Sequence, residues 1–341
     1  MEPPEQDVSA IVVAFGAEPC LEPGVRALLA SLGVRVEVVL VDNGCTDGAV
    51  DRLEGTPGLV VVRPAENLGF AGGCNAGADV ASGNVLALVN PDAIAHPDAL
   101  AVLAEGAARP GVGLVTASVR LADRPTLLNS AGNEIHFGGL SWSGHFEEQA
   151  ADHECERDVL AASGAAMAIR LDLWRELDGF DDRFFAYYED ADLSLRCWLR
   201  GLRVVYLPAA VVEHRYEFSR NPAKFFLLER NRAVMVWSCY SRRLLLVTAP
   251  VLLLLEVATL AMSIAQGWLR HKLNAWRWLW ANRHYVHARR SSIQATRVVG
   301  DRALAPMFAT RLNPGNLPPP AWTGPLDRAL STYWAFARRL L

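Results

Sequence analysis

A cluster of acidic side chains between aromatic residues is the first feature with chemical use. It reads Gly179-Phe180-Asp181-Asp182-Arg183-Phe184-Phe185-Ala186-Tyr187-Tyr188-Glu189-Asp190-Ala191-Asp192-Leu193. A helix pattern starts within it, and Leu193, Leu195, Cys197, Trp198 and Leu199 form the apolar face that anchors that helix. A helix N-terminus keeps nearby carboxylates ionised and so able to accept a proton. Helix capping accounts for one of these acids, not three. A second group, Asn90-Pro91-Asp92, follows the apolar run Val85–Val89. Two oxygen-bearing side chains at a strand end suit a hard divalent cation bridging a diphosphate; the alternative is a proline turn with Asp92 as a helix cap.

Other residues are open to two readings each. Asp42, in Val41-Asp42-Asn43-Gly44, ends a second apolar run and could accept hydrogen bonds from a base or ribose, or serve as a turn residue. Phe15 ends the first run and either lies against a base or belongs to the core. Glu66-Asn67-Leu68-Gly69-Phe70-Ala71-Gly72-Gly73-Cys74-Asn75 is glycine-rich and leads into a helix. Backbone N–H groups there attract phosphate, or the glycines permit close helix–sheet packing. His214 ends a later strand pattern; its imidazole completes a metal site or is structural.

The elements that must position these residues follow from periodicity. Val8–Phe15, Val36–Asp42, Leu59–Arg63 and Val85–Val89 read as strands, with helices over Leu21–Leu32 and Ala71–Ala81. Strands apolar on both faces and spaced by helices imply a parallel sheet covered on both sides, with ligands beyond the carboxyl ends of the strands. Residues 120–158 read as an irregular excursion. Ser163–Leu171 and Val204–Leu207 read as further strands, with helices over Leu171–Leu177 and Asp190–Arg200. Phe225–Trp237 is helical, Leu244–Leu269 is a long apolar stretch, and Ala329–Leu340 is a short amphipathic segment.

Composition excludes a disordered chain: 51% of the 341 residues are hydrophobic and the formal net charge is only -4. The charge is divided unevenly, with residues 1–211 strongly acidic and 212–341 basic and tryptophan-rich. Six cysteines form no CxxC pair, which points to reduced thiols in a cytosolic environment. The start, Met1-Glu2-Pro3-Pro4-Glu5-Gln6-Asp7, lacks the basic and apolar regions of a signal peptide, so the catalytic region is expected in the cytoplasm.

Taken in order, VSAIVVAF, VDNGCTDG, ENLGFAGGCNAG, LVNPDA, SGAAMAIR and GFDDRFFAYYEDADLSLR resemble glycosyltransferase family 2, and within it the bacterial rhamnosyltransferase-like group. The resemblance covers roughly residues 8–240. It implies an α/β chain of the GT-A fold, with a Rossmann-like, mostly parallel sheet flanked by helices; the apolar stretch and the basic, tryptophan-rich residues after it read as a helical, membrane-associated C-terminal region. The expected units are a catalytic domain over residues 1–222, a helical region over 223–300 and a Pro-rich tail over 301–341. Within the catalytic domain, residues 1–120 are expected to bind the donor and residues 121–222 the acceptor. The resemblance makes Asp190 the catalytic base. It assigns Phe15, Asp42, Asn67, Gly69, Asn75, Asn90, Asp92 and Gly164 to the donor, and Trp142, Ser163 and Glu189 to the acceptor. Asp92 and His214 become ligands of Mg²⁺ or Mn²⁺. His214 follows Asp190 by 24 residues, where related galactofuranosyltransferases place a metal-ligating His. Asn90 departs from the family's Asp-x-Asp motif, although NPD is common in the rhamnosyltransferase-like group.

The implied reaction is inverting. Asp190 deprotonates an acceptor hydroxyl, which attacks the anomeric carbon of a dTDP- or UDP-sugar. The expected donor is dTDP-rhamnose, with galactofuranosyl or other hexosyl transfer as the alternative, in cell-envelope polysaccharide synthesis. The Leu244–Leu269 stretch is long enough to cross a bilayer, yet Glu256 and Gln266 interrupt it, so a shallow or re-entrant segment fits better. A glycan or polyprenyl-diphosphate acceptor at the cytoplasmic face of the membrane follows, with Arg215, Arg230, Arg232, Arg242 and Arg243 near its phosphates. No nucleic-acid partner is expected. A nucleotidyltransferase should carry an Arg/Lys-containing glycine loop after strand one; the sequence there is Gly16-Ala17-Glu18-Pro19. A non-catalytic glycan- or lipid-binding protein stays open.

Overall fold

A computed structural model describes residues 7–215, 223–313 and 324–341. Residues 1–6, nearly all of the acidic start, and 314–323, the Pro-rich segment of the tail, lie outside the described residues. The chain first alternates strand and helix: β1 (Asp7–Gly16), α1 (Leu21–Leu29), β2 (Arg35–Cys45), α2 (Ala49–Leu53), β3 (Leu59–Val62), α3 (Gly69–Val80) and β4 (Val85–Val89). There follow β5 (Ala93–Ala95), α4 (Ala99–Ala107), β6 (Val112–Leu121), β7 (Arg124–Ser130), the hairpin β8 (Asn133–Ile135) and β9 (Ser141–Ser143), and β10 (Arg157–Asp158). The sheet region closes with β11 (Ala166–Arg170), α5 (Leu171–Glu176), α6 (Glu189–Leu199) and β12 (Arg203–His214).

These strands form a 10-stranded sheet in the order β10-β12-β6-β11-β4-β1-β2-β3, with β5 on β12 and β7 on β6. Period-2 burial divides each central strand between two cores. Ile11 and Val13 of β1 with Leu86 and Leu88 of β4 face one layer, which α3 and α6 cover. Ala10, Val12 and Ala14 with Val85, Ala87 and Val89 face the other, under α1, α2 and α4. The parallel sheet read from the sequence extends over β3-β2-β1-β4. Beyond β4 the sheet is mixed, because β11 runs antiparallel to both β4 and β6. Neighbours lie on both sides of β1, so the sheet's chain order reverses there and opens a crevice beyond the carboxyl ends of β1, β2 and β4.

Two expectations need adjusting. Strand β12 runs on to His214 rather than stopping near Leu207. Pro208 has no N–H for the ladder, but the register slips between Leu207 and Val211 and pairing resumes. The excursion 120–158 holds short paired strands, including the β8–β9 hairpin.

The helical region comprises α7 (Lys224–Cys239), α8 (Arg242–Ala265), α9 (Leu269–Ala281), α10 (Arg283–Ala295), α11 (Asp301–Leu304) and α12 (Gly324–Ala337). Its apolar residues, among them Met235, Leu244, Val286 and Trp334, join the α3/α6 layer as one core. It is therefore packed against the sheet region rather than tethered to it.

Candidate active site

The acidic run is sorted by its partners. Asp192 is buried and accepts from Arg289 Nη2 (2.5 Å) and Arg196 Nε (2.9 Å). Burial pushes its pKa up, but the two guanidiniums hold it below the usual Asp value. Asp181 accepts from Arg289 Nε at 2.7 Å and from the Tyr285 hydroxyl. Asp182 is exposed and bonded by Asn75. Within this run, Asp190 has its carboxylate ringed by three neutral donors. Its Oδ2 accepts from Asn133 Nδ2 and the Gly164 amide, both at 2.9 Å, and its Oδ1 accepts from the Ala191 amide at 2.7 Å.

Burial raises the Asp190 pKa above the usual Asp value, and these donors limit the rise. Glu189 beside it is buried, with Oε2 unpartnered. Burial and the neighbouring Asp190 charge push its pKa well up. Glu189 lacks the three acceptor bonds of Asp190, so its carboxyl is pushed further above the usual range. Asp190 combines a raised proton affinity with donors that hold its ionised form in place, the combination a general base needs.

A strained turn delivers Asp190. Phe185, Tyr187 and Tyr188 all have left-handed backbone, with φ of 63°, 70° and 72°. Each such residue costs of order 1 kcal/mol and persists only where its surroundings over-determine it. Here Asn231 Nδ2 on α7 donates to the carbonyls of Phe184, Ala186 and Tyr187 at 2.9, 2.9 and 2.7 Å. Arg230 Nη2 adds a bond to the Phe184 carbonyl at 2.8 Å, and Ala71 N–H donates to that of Phe185 at 3.1 Å. Gly69 (φ +72°) permits this approach: a β-carbon there would meet the Phe185 carbonyl oxygen at 2.3 Å.

The second cluster assembles across the sheet. Antiparallel pairing of β12 with β5 sets His214 opposite Ala93. His214 Nε2 then lies 3.0 Å from Asp92 Oδ1 and 3.2 Å from Asn90 Nδ2. Asn129 Oδ1 stands 3.0 Å from His214 Nδ1. With that oxygen accepting the Nδ1 proton, the Nε2 lone pair and the Asp92 carboxylate face one point. Two electron-rich atoms so placed would suit a divalent cation. The Ala165 carbonyl accepts from the Asn90 amide at 3.0 Å, and the preceding Gly164 amide binds Asp190, so one stretch of backbone holds both clusters.

Phe15 is 57% exposed at the end of β1, its ring against Gly44. Asp42 is partly exposed; its Oδ1 takes the Cys45 amide and its Oδ2 is 3.4 Å from Arg63 Nε. Other expected residues are engaged differently. Asn67 Oδ1 accepts from Asn43 Nδ2 and the Gly69 amide, both at 2.8 Å, and so shapes the loop. Asn75 brackets Phe180 and Asp182, in the wall of a cleft of about 650 Å³ that neither Asp190, Asp92 nor His214 lines. Gly73 and Gly77 sit against Val13 and Ile11, where a β-carbon would fall at 2.6 and 2.7 Å. The glycine loop therefore achieves close helix–sheet packing, and its Leu68, Gly69 and Ala71 amides are taken by protein oxygens.

Two residues expected on the acceptor side are buried. Trp142 donates to Glu134 Oε2 at 3.0 Å within the β8–β9 hairpin. Glu189 lies beside Cys74 and Asp190. Ser163 is buried too, its amide on Thr116 Oγ1 at 3.1 Å. Arg230 and Arg232, expected near acceptor phosphates, are likewise buried: Arg230 holds the Phe184 carbonyl and Arg232 pairs with Glu229 and Glu256. Sequence reasoning missed Asn129, Asn133 and Asn231, since asparagines in irregular segments carry no periodic signal.

Residues 3–236 match the family described as glycosyltransferase like family 2. Over 244 residues the chain is 28% identical to the N-acetylglucosaminyl-diphospho-decaprenol L-rhamnosyltransferase of Mycobacterium tuberculosis, covering 62% of this chain and 78% of that protein. Among solved structures, GalNAc-T7 with UDP, GalNAc and Mn²⁺ is similar at TM-score 0.57 and 15% identity, over 70% of this chain; the chain spans 48% of that one. The mannosyltransferase PcManGT of Pyrobaculum calidifontis, in complex with GDP-Man and Mn²⁺, is similar at TM-score 0.51 and 19% identity, over 98% of this chain and 86% of that one. At these identities the two structures bear on the fold, which is of the GT-A type. With the family match spanning most of its length, the chain belongs to glycosyltransferase family 2, in the rhamnosyltransferase-like group, and acts on nucleotide sugars.

Proposed function

We propose that this chain is an inverting, metal-dependent rhamnosyltransferase that moves L-rhamnose from dTDP-rhamnose to a hydroxyl of a polyprenyl-diphosphate-linked glycan at the cytoplasmic face of the cell membrane, in cell-envelope polysaccharide synthesis. The observation that carries the reaction class is Asp190, a carboxylate held by neutral donors and tied through Gly164-Ala165 to the Asn90-Pro91-Asp92 turn that meets His214. The sugar and the lipid-linked acceptor rest on the likeness to the mycobacterial decaprenol rhamnosyltransferase.

In this reading Asp190 takes the proton of the acceptor hydroxyl as its oxygen bonds to the anomeric carbon, and the bond from that carbon to the diphosphate oxygen breaks on the opposite face. One displacement inverts the centre, and no enzyme nucleophile is used. Asn133 and Gly164 hold the carboxylate in place, while Phe15 and Asp42 at the ends of β1 and β2 hold the base and ribose. Asp92 and His214 would hold a Mg²⁺ or Mn²⁺ ion, which would supply charge neutralisation for the departing diphosphate.

The helical region supports a membrane-surface location. Helix α8 is long and apolar enough to cross a bilayer by length and composition. Its Glu256, however, turns into the protein, 2.8 Å from Arg232 Nη2 and 2.9 Å from Lys272 Nζ. Leu244, Thr248, Val251, Leu255, Thr259 and Ser263 line the same inward face. The outward face exposes Leu246, Leu253, Val257 and Ile264 along one stripe. A helix fixed to the protein along one side and apolar on the other lies in the interface rather than crossing it. Exposed Arg242, Arg243 and Arg270 flank it and favour anionic headgroups.

The test is a transfer assay across dTDP- and UDP-sugars, with a polyprenyl-diphosphate-N-acetylglucosamine acceptor in vesicles and Mg²⁺, Mn²⁺ or chelator. Transfer from dTDP-rhamnose that stops in chelator agrees with the proposal. Preference for a UDP-hexose overturns the sugar, and undiminished transfer in chelator overturns the metal.

A further inference from the structure

We infer that His145, Glu148 and His153 form a second metal site, for Zn²⁺ or a cation of similar ligand preference, separate from the Asp92–His214 pair. Glu148 Oε2 lies 3.1 Å from His145 Nδ1 and 2.8 Å from His153 Nε2. The three ligand atoms all fall within 4.8 Å of one another. A tetrahedral ion with bonds of about 2.0–2.1 Å needs its ligand atoms roughly 3.3 Å apart. The two Glu148 edges reach that spacing after shifts of a few tenths of an ångström, and the His145–His153 edge, at most 4.8 Å, closes by rotation of the two rings.

The ligand set is held from three directions. Glu147 N–H donates to the Leu128 carbonyl at 2.8 Å, and Leu128 N–H to the Glu148 carbonyl at 2.9 Å, which fixes Glu148 to β7. Gly144 N–H donates to the Gly132 carbonyl at 3.0 Å, just ahead of His145. The His153 carbonyl accepts from the Tyr206 hydroxyl of β12 at 3.2 Å. Between these anchors, His145 and Glu147 both take left-handed backbone (φ 61° each), which side chains with a β-carbon seldom adopt. The resulting turn, closed by Glu148 N–H on the His145 carbonyl at 3.1 Å, sets the His145 and Glu148 side chains toward His153. The two imidazole rings stand 4.2 Å apart at 47°.

Two imidazoles and one carboxylate, with no thiol, are a ligand set for Zn²⁺ rather than for the hard Mg²⁺. His153 is nearly covered and Glu148 is half exposed, so the ion has an entry path and a fourth position open to water. Bound there, it ties β7, the turn at 145–148 and the 3-10 turn at Ala150–His153 into one unit. The same excursion carries Asn133, which reaches Asp190. The site thus steadies the support of the proposed base without touching the reacting atoms.

The experiment uses the tag-free full chain, stripped with chelator and titrated with Zn²⁺, reading metal per chain after desalting and the shift in Tm. Four forms are compared: wild type, Glu148→Gln, the double variant His145→Ala/His153→Ala, and Asp92→Ala/His214→Ala. Wild type is expected to retain one Zn²⁺ and to gain several degrees in Tm. Glu148→Gln and the double-histidine variant should bind at least about 100-fold more weakly and lose the metal-induced shift, while Asp92→Ala/His214→Ala keeps both. Glu148→Gln preserves shape and hydrogen bonding, so the result stands even if the double variant folds poorly. Zn²⁺ binding equal to wild type in Glu148→Gln, or no Zn²⁺ retained by wild type, overturns the site.

Discussion

Gly164 and Asp190 meet through one bond, backbone N–H to carboxylate Oδ2 at 2.9 Å. A β-carbon at residue 164 would come within 3.3 Å of that oxygen, so the close approach asks for glycine. The next residue, Ala165, holds the Asn90 amide through its carbonyl. The carboxylate proposed as base and the Asn-Pro-Asp turn proposed for the metal are thereby fixed relative to each other by the backbone of two consecutive residues.

The pH dependence of the reaction should follow from the surroundings of Asp190. Burial raises its pKa, so the acidic limb of kcat/KM is expected above the ordinary Asp range. Asn133 donates to the charged form and lowers the value, so Asn133→Ala should raise it further. The limb then moves to higher pH, and the lost rate returns once the pH exceeds the new value. A pH–rate profile of the variant checks the direction; a limb displaced downward contradicts it.

Metal binding should depend on His214. His214→Ala removes one of two protein ligands, and the Mn²⁺ concentration for half-maximal activity is expected to rise about 10- to 100-fold with the fold intact. Asn129→Ala frees the ring at Nδ1 and should shift the same concentration in the same direction by a smaller factor. Metal titrations of activity, with circular dichroism as the fold control, read both.

Much of this arrangement is legible in the sequence, and the reasons are local. The strands β1, β2 and β4 announce themselves as apolar runs, and each polar residue that ends one stands at the crevice. Motif order singles out Asp190, and its partners separate it from Asp181 and Asp192. What the sequence conceals depends on long-range pairing. Asn231 grips a turn 44 to 47 residues away, and Asn133 reaches Asp190 across 57. The glycine loop misleads because glycine for phosphate and glycine for packing look alike; only the approach of Val13, Ile11 and Phe185 tells them apart.

The ion pairs behind the site predict a stability signature. Arg289 is 8% exposed and binds Asp192, 1% exposed, and Asp181. Arg289→Ala leaves a buried carboxylate short of one partner and should cost about 3 kcal/mol at neutral pH, Arg196 remaining in place. The Asp192 pKa is lower in the folded chain than in the unfolded one. Its contribution is therefore present above the unfolded value of about 4 and lost as pH falls through the lower folded value. Urea melts from pH 7 downward should show the gap between variant and wild type narrowing below about pH 4; a constant gap contradicts the pairing.

Membrane association should depend on the outward face of α8. Leu253→Glu with Val257→Glu places charge on exposed positions, so folding is expected to be unchanged while binding to anionic vesicles falls at least about 10-fold. Flotation with phosphatidylglycerol vesicles measures this. Equal flotation of variant and wild type contradicts the surface-lying arrangement.

The central claim is that Asp190 accepts the acceptor's proton. Asp190→Asn keeps the size of the side chain and most of its hydrogen-bonding positions while removing the basic oxygen, so it should lower kcat by about 10³-fold or more and leave donor affinity within about twofold. Measuring turnover and, by calorimetry, donor binding on the same preparation gives both numbers. Turnover within tenfold of wild type, with donor binding intact, would show that the proton goes elsewhere.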